Sequence, residues 1–91
     1  MDSAYQGFGS GSIDKDGFAV RLFAKDGHEL IVSQSFSKNM GLYGERVGAV
    51  SLITHEADAR DRVLSQLKVL IRRLYSNPPR HGAQIASKVF K

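Results

Sequence analysis

The chain has 91 residues, which is enough for one small domain and too few for a complete multi-domain enzyme. It contains no cysteine, so disulfides and thiolate metal sites are excluded. The formal net charge of +4 is uneven: residues 60–91 hold eight Lys or Arg against one acid, whereas residues 1–59 hold five against eight. Such asymmetry is compatible with a nucleic-acid or membrane surface, but anionic small molecules also require arginines.

The sequence shows no segment that would direct the chain into a membrane. Its apolar runs are only a few residues long, far below the roughly 20 that a transmembrane helix needs. Met1 leads into Asp2 and Ser3 with neither a basic region nor a hydrophobic segment, so no secretory signal is recognised. We therefore expect no membrane partner and a cytoplasmic location, with an organellar form left open.

The first part of the chain predicts a loop followed by a helix. Residues 2–11 are rich in glycine, which favours an irregular loop. The Gly-x-Gly pattern in this loop does not indicate a dinucleotide fingerprint, because no strand precedes it and the third glycine is misplaced. Residues 13–25 begin with acids and end with Lys25, which suits the helix dipole and predicts a helix ending near Gly27, although Gly17 weakens it.

Two strands are predicted next. The apolar run Leu30-Ile31-Val32 indicates a short buried strand within residues 28–36. Helix, glycine turn and strand in this order form the second half of a parallel crossover unit. Residues 46–54 predict the second strand, in which Gly48 and Ala49 are small enough for something to pack closely against it.

The clearest periodicity in the sequence predicts an amphipathic helix after the second strand. Thr54 is positioned to cap this helix, and apolar residues follow at three- and four-residue spacing. These residues are Val63, Leu67, Leu70, Ile71 and Leu74. The helix should stop at Ser76-Asn77-Pro78-Pro79, because proline disfavours helical geometry in the residue before it. Pro79 can then open a last helix over residues 82–90.

These predicted elements do not form a complete domain. Their arrangement would leave at least one sheet edge and one helix face uncovered, and no internal repeat offers another way to cover them. The last helix also reaches the end of the sequence without a stop signal. We therefore expect the chain to be a piece of a larger α/β domain.

Four short motifs occur in an order and at separations that resemble one enzyme family. They are Asp2-Ser3-Ala4-Tyr5-Gln6-Gly7-Phe8, Ser35-Phe36-Ser37-Lys38-Asn39, Glu45-Arg46-Val47-Gly48, and Arg72 ahead of Tyr75-Ser76-Asn77-Pro78-Pro79. Together they resemble the aspartate aminotransferases, which are fold type I pyridoxal-phosphate enzymes. The resemblance implies that residues 1–91 are part of the large domain that binds pyridoxal 5'-phosphate, truncated at both ends, with a mostly parallel sheet flanked by helices.

The resemblance implies a catalytic role for Lys38, which matches the lysine that bonds to the cofactor aldehyde and later moves a proton at the substrate's alpha carbon. Asp2 matches the carboxylate that pairs with the pyridine nitrogen, and Tyr5 matches the tyrosine at the phenolic oxygen. Without the motifs, the three would be interpreted as a solvated lysine, a solvated acid and a half-buried tyrosine.

The resemblance also implies binding roles for three further residues. Ser35 and Arg46 match phosphate ligands, and the planar fork of an arginine suits two phosphate oxygens. From residue types alone, an ion pair between Arg46 and Glu45 is an equally good interpretation. Arg72 matches the arginine that binds the distal carboxylate of aspartate or glutamate across a dimer interface, which implies a homodimer. Arg73 beside it is interpreted as a surface charge.

We therefore expect a fragment of a transaminase that moves an amino group between L-aspartate or L-glutamate and 2-oxo acids. The fragment alone should be inactive, because the resemblance covers neither the phosphate-cradling loop nor the arginine for the substrate's alpha carboxylate. An aromatic or broad-specificity class I aminotransferase is the main alternative.

More remotely, a basic module that binds nucleic acid would explain residues 60–91, but it would leave Lys38 and Asp2 without a cause. The three histidines, His28, His55 and His81, lack metal-ligand spacing, and no nucleophile elbow is present. We therefore expect no nucleic-acid binding, no metal site and no hydrolase chemistry.

Overall fold

A computed structural model describes all 91 residues as three strands and four helices. In chain order these are β1 (Asp2–Ser3), α1 (Ile13–Asp16), α2 (Phe18–Lys25), β2 (Leu30–Ser35), β3 (Gly48–Ile53), α3 (Ala57–Leu74) and α4 (His81–Val89). The short strand β1 lies within the stretch for which the sequence predicted only a loop. The alternation of strands and helices agrees with the predicted α/β class.

The strands form one sheet in the order β1-β2-β3. β1 and β2 are parallel, and α1 and α2 connect them, so the predicted crossover unit is confirmed. β2 and β3 are antiparallel, with Leu30 opposite Ile53 and Ser35 opposite Gly48. Antiparallel pairing is possible here because residues 36–47 form a loop without a helix, which lets the chain turn back on itself. This part of the sheet is therefore mixed.

The first predicted helix is broken at Gly17. Ser12 caps α1 by accepting the Lys15 N–H at 3.4 Å, and the Gly17 N–H donates to the Ile13 carbonyl oxygen at 3.0 Å. The chain then restarts as α2. A Cβ on Gly17 would lie 3.0 Å from Nη1 of Arg21 and 3.3 Å from the Ile13 carbonyl oxygen, so the break is a tightly packed point that favours glycine.

The two later helices match the predictions except at their starts. Thr54 was predicted to cap α3, and this is wrong: the N-cap is Glu56, and the Thr54 hydroxyl instead donates to the Glu56 carbonyl oxygen at 3.0 Å. α3 ends just before Ser76, which has a φ of 63°, so the predicted stop is confirmed. α4 begins one residue before its predicted start, with Arg80 as its N-cap.

Few side chains are buried in this chain. Five of the 91 residues are buried, and they include Val32, Phe36, Ser37 and Ala86. The apolar stripe of α3 is mostly exposed, and Leu74 is 76% exposed, because α3 has no extensive packing against any other element. No helix combines the length and apolar character that a membrane crossing requires.

Candidate functional site

The sheet brings the ends of its strands together at one edge. Asp2 of β1 lies opposite Ser33 of β2, and Ser35 at the end of β2 lies opposite Gly48 at the start of β3. A cleft of about 370 Å³ opens at this edge. Asp2, Ser35 and Arg46, which come from three separate sequence motifs, all line it.

Ser35 holds the turn that leads to Lys38. Its hydroxyl oxygen accepts a hydrogen bond from the Ser37 N–H at 3.2 Å. A serine hydroxyl has one donor and two acceptor sites, so this bond leaves the Ser35 O–H free to donate to a bound anion. Ser37 is 5% exposed and also lines the cleft. Sequence reasoning did not single out Ser37, although the Ser-x-Ser pattern before the lysine was a signal for it.

Arg46 has an unusual backbone conformation at the cleft. Its φ is 51°, in the left-handed region that non-glycine residues adopt at a cost of about 1–3 kcal/mol, and only where the surroundings fix it. Its Nη1 donates to the Tyr43 carbonyl oxygen at 3.3 Å. The ion pair with Glu45 that the sequence left open does not form, since the only ion pairs join Arg60 to Asp61 and Arg62 to Asp58. The Arg46 guanidinium therefore has no carboxylate partner.

Lys38 lies near two tyrosine rings. Its Nζ is 5.1 Å from the ring centroid of Tyr5 and 5.6 Å from that of Tyr43, both within the range of a cation–π interaction. The structure therefore brings the predicted residues Lys38 and Tyr5 together. Tyr43 was missed, and the only sequence signal for it was an aromatic residue between two glycines in the same loop. Tyr5 also lines a shallow depression together with Asp2, which in turn lines the cleft.

Two glycines allow close packing around the cleft. A Cβ on Gly48 would overlap the backbone carbonyl oxygen of Gln34, so the expected close approach is the neighbouring strand itself. A Cβ on Gly82 of α4 would lie 2.9 Å from the Cβ of Val47 and 3.0 Å from that of Glu45. Gly82 is buried and was not predicted to contribute to the site.

Asn39, directly after Lys38, contains a buried polar atom without a partner. Its side-chain Oδ1 is buried and accepts no hydrogen bond. A buried oxygen that is left unpaired typically costs about 1–3 kcal/mol. The segment that holds Lys38 therefore contains an unsatisfied acceptor beside the lysine.

The glycine-rich loop after Tyr5 binds a carboxylate of the same chain. The backbone N–H groups of Gly7, Gly9 and Ser10 donate to Asp16 at 2.7, 3.0 and 3.0 Å. Hydrogen bonds from the Ser10 side chain, and then from these backbone groups, lower the pKa of the Asp16 carboxyl below its usual 3.8. Because Asp16 occupies these N–H groups, they are not available to cradle a nucleotide phosphate.

Arg72 is the one predicted site residue that lies apart from the others. It is exposed on the last turn of α3 and lines neither the cleft nor the adjoining depression. Its Nη1 donates to the Ser76 hydroxyl oxygen, which ties the side chain to the end of its own helix. The structure thus places Asp2, Ser35 and Arg46 on the cleft and Lys38 near Tyr5, and it leaves Arg72 apart from both.

Comparison with known proteins identifies the family of the chain. The family model described as aminotransferase class I and II matches residues 1–91. "Aspartate aminotransferase 1" of Medicago sativa is 61% identical over 91 residues, which is 100% of this chain and 22% of the relative. The cytoplasmic aspartate aminotransferase of Oryza sativa subsp. japonica is 60% identical, again over 100% of this chain and 22% of the relative.

Solved structures show the same relationship. The aromatic-amino-acid aminotransferase from Burkholderia pseudomallei, covalently bound to pyridoxal phosphate, superposes with a TM-score of 0.91 and is 59% identical, covering 97% of this chain and 22% of that chain. The broad-specificity aminotransferase from Leishmania mexicana superposes with a TM-score of 0.88 at 54% identity, covering 92% and 21%. The chain spans about a fifth of the length of these relatives, and the predicted fold class is confirmed. It belongs to the class I and II aminotransferase family.

Proposed function

We propose that residues 1–91 are part of the large domain of a transaminase that moves an amino group between L-aspartate or L-glutamate and 2-oxo acids. The observation that carries the proposal is the convergence of Asp2, Ser35 and Arg46 on one cleft, with Lys38 beside Tyr5. The relatives named aspartate aminotransferase, at up to 61% identity, support the activity. When bound, pyridoxal 5'-phosphate supplies an electron sink for the negative charge that develops on the substrate.

The cleft residues fit the phosphate of this cofactor. Arg46 has no carboxylate partner, and the Ser35 O–H is free to donate. A guanidinium and a hydroxyl that both face one small cleft need acceptors, which the oxygens of a phosphate supply. Gly48, which starts β3 opposite Ser35, also lines the cleft.

Asp2, Tyr5 and Lys38 would act on the ring side of the cofactor. The Asp2 carboxylate is exposed and free of ion pairs, so it can pair with a protonated ring nitrogen and favour its charged form. The Tyr5 hydroxyl can donate to the phenolic oxygen. The Lys38 amine, whose cation is held at the two tyrosine rings, would act as the nucleophile toward the cofactor and as the base that moves the substrate proton.

We propose further that Arg72 selects dicarboxylate substrates in a homodimer, by reaching into the site of the partner subunit. Its exposed position outside the cleft supports a role toward another chain. A guanidinium that meets a desolvated carboxylate discriminates against neutral side chains, which would leave the charge unpaired.

A second candidate function is transamination of aromatic amino acids. The observation that favours it is the 59% identity to the solved aromatic-amino-acid aminotransferase from Burkholderia pseudomallei. The two functions share Lys38 and the cofactor ligands, so they differ in how strongly activity depends on Arg72.

The compartment that we propose is the cytoplasm, as the name of the Oryza sativa relative states for that protein. Relatives from chloroplasts and mitochondria match at 54–58% identity, so the compartment needs its own test. Imaging a fluorescent fusion of the full-length protein would provide it, and a signal confined to an organelle would contradict the proposal.

The central test traps the cofactor on the protein. The full-length protein is incubated with pyridoxal 5'-phosphate, reduced with borohydride and digested, and the modified lysine is located by mass spectrometry. We expect the label at Lys38 and its loss in Lys38→Arg, which keeps the charge but removes the nucleophilic amine. Lys15→Arg, an exposed control, should leave labelling unchanged. A label located at any other lysine would refute the proposal.

A further inference from the structure

The backbone conformation of Arg46 has to be held in place by its surroundings. A φ of 51° at a residue with a long side chain persists only where neighbouring contacts fix it. The residues on either side do have fixed backbones: the Glu45 N–H donates to the Leu42 carbonyl oxygen at 3.2 Å, and the Val47 carbonyl oxygen accepts the Phe36 N–H at 3.1 Å. Hydrogen bonds therefore fix both flanks of Arg46.

A single residue of α4 packs against both flanks. A Cβ on Gly82 would lie 2.9 Å from the Cβ of Val47, 3.1 Å from its Cγ1 and 3.0 Å from the Cβ of Glu45. The Cβ atoms are attached directly to the backbone, so they cannot rotate away as the end of a long side chain can. An added methyl group would therefore push on the chain on either side of Arg46.

The rest of α4 connects this contact to the strand that supplies Ser35. Ala86, one turn after Gly82, is 4% exposed. Beyond it, the Phe90 ring packs edge-on against Phe36 with the ring centroids 5.6 Å apart, and Phe36 directly follows Ser35. α4 thus contacts the chain next to Ser35 and the chain next to Arg46, although it contributes no residue to the cleft.

We propose that Gly82 is a positioning residue, which lets α4 pack closely enough to hold the Arg46 guanidinium in the orientation that binds the cofactor phosphate. This inference rests on the proposed function, because it assigns the phosphate to the cleft. A larger residue at position 82 would displace the chain at Glu45 and Val47, relax the left-handed backbone of Arg46 and turn its guanidinium away. Ring-side contacts at Lys38 and Tyr5 would change little.

The test compares two ligands that differ only in the phosphate. In the full-length protein, dissociation constants for pyridoxal 5'-phosphate and for pyridoxal are measured by absorbance, before and after Gly82→Ala. We expect about a tenfold or larger loss of affinity for the phosphorylated ligand and about a twofold or smaller change for pyridoxal, as for the misplacement of one bidentate group. Inorganic phosphate should also compete less well for the variant.

Gly44→Ala is the matched control. It adds the same methyl group to the same loop, at a position where a Cβ would meet no atom within 4 Å, so both affinities should stay unchanged. Phe90→Leu loosens the other end of α4 and covers the case in which Gly82→Ala does not fold. Phe90→Leu should lower the affinity for the phosphorylated ligand selectively, by a smaller factor than Gly82→Ala.

The outcomes separate the two ideas. Equal losses for both ligands in the variants would overturn the role of Gly82 and leave the proposed function intact. If the unmodified protein bound neither ligand, the proposed function would fail first, and the inference with it.

Discussion

The edge of the sheet around the cleft and the helix α3 differ in how much of their surroundings this chain supplies. At the cleft, Gly48 touches the neighbouring strand, Gly82 packs on the loop, and Ser37 is buried. Along α3, the apolar stripe is mostly exposed, and Arg72 hydrogen-bonds only to the end of its own helix. Contacts within this chain therefore hold the region of the proposed cofactor ligands. They do not hold Arg72, the residue proposed to select the substrate.

The exposed stripe of α3 has an energetic consequence. Full burial of a leucine or isoleucine side chain contributes roughly 1.5–3 kcal/mol, and Leu70, Ile71 and Leu74 are 52%, 36% and 76% exposed. A large part of that stabilisation is therefore not realised within this chain. Packing of α3 against other parts of the full-length protein would both stabilise the helix and fix the direction of Arg72. The comparison thus predicts that variants at Arg72 change substrate choice, and that variants at the cleft change cofactor binding or folding.

The largest effect is expected for Arg72→Ala in the full-length protein. Leaving a substrate carboxylate unpaired in a desolvated site costs about 3–5 kcal/mol, so kcat/KM for aspartate should fall by roughly two to four orders of magnitude. The loss for an aromatic amino acid should be less than about tenfold. Steady-state kinetics with both substrates measure the difference.

Arg73→Ala serves as the matched control for that experiment. It removes the neighbouring charge on the same helix turn and should change neither kinetic constant appreciably. Equal losses on the two substrates after Arg72→Ala would contradict the dicarboxylate assignment and favour the aromatic alternative.

The same difference between the regions explains what the sequence could predict. Lys38, Ser35 and Arg46 stand in short motifs whose spacing is local, and the strands that present them have clear apolar patterns. The periodicity of α3 was equally clear, but it could not show that the stripe stays exposed, because burial depends on residues distant in sequence. Thr54 was misassigned as a cap because local sequence does not show that its hydroxyl prefers the Glu56 carbonyl oxygen.

Other contributions to the site could not be predicted because they depend on tertiary contacts. Tyr43 reaches Lys38 only through the folding of the loop between β2 and β3. Gly82 lies more than thirty residues from Arg46, and nothing in its own segment indicates which loop it packs against. The antiparallel pairing of β3 likewise depends on a loop whose path is not encoded in a periodic pattern.

A smaller effect is expected at the edge of the sheet itself. Gly48→Ala would place a methyl group against the backbone of Gln34, which cannot move without disturbing the ladder between β2 and β3. Overpacking of this kind costs about 1–3 kcal/mol. Urea denaturation of the full-length protein should show that loss for Gly48→Ala and no loss for Gly44→Ala. Equal stability of the two variants would contradict the rigid packing of the cleft edge.

The smallest effect is expected in the loop after Tyr5, which lies in the region of the cleft rather than that of α3. Hydrogen bonds from the Ser10 side chain and from backbone N–H groups lower the pKa of Asp16 below 3.8. A carboxyl with a lowered folded-state pKa stabilises the fold above its unfolded-state pKa, and this contribution is lost as the pH falls through the lower value. The loop should therefore stay intact at neutral pH and loosen only well into the acid range.

Amide chemical shifts of Gly7, Gly9 and Ser10 in the full-length protein should follow that titration, because these N–H groups bond directly to the titrating carboxylate. Asp16→Asn removes the charge and should abolish the shared pH dependence. Asp14→Asn, an exposed control on the same helix, should preserve it. If the chemical shifts of the three amides titrated together at the ordinary pKa of an aspartate, the loop would not be holding the carboxylate. The backbone conformation of the loop after Tyr5 would then have to be fixed by its attachment to the sheet alone.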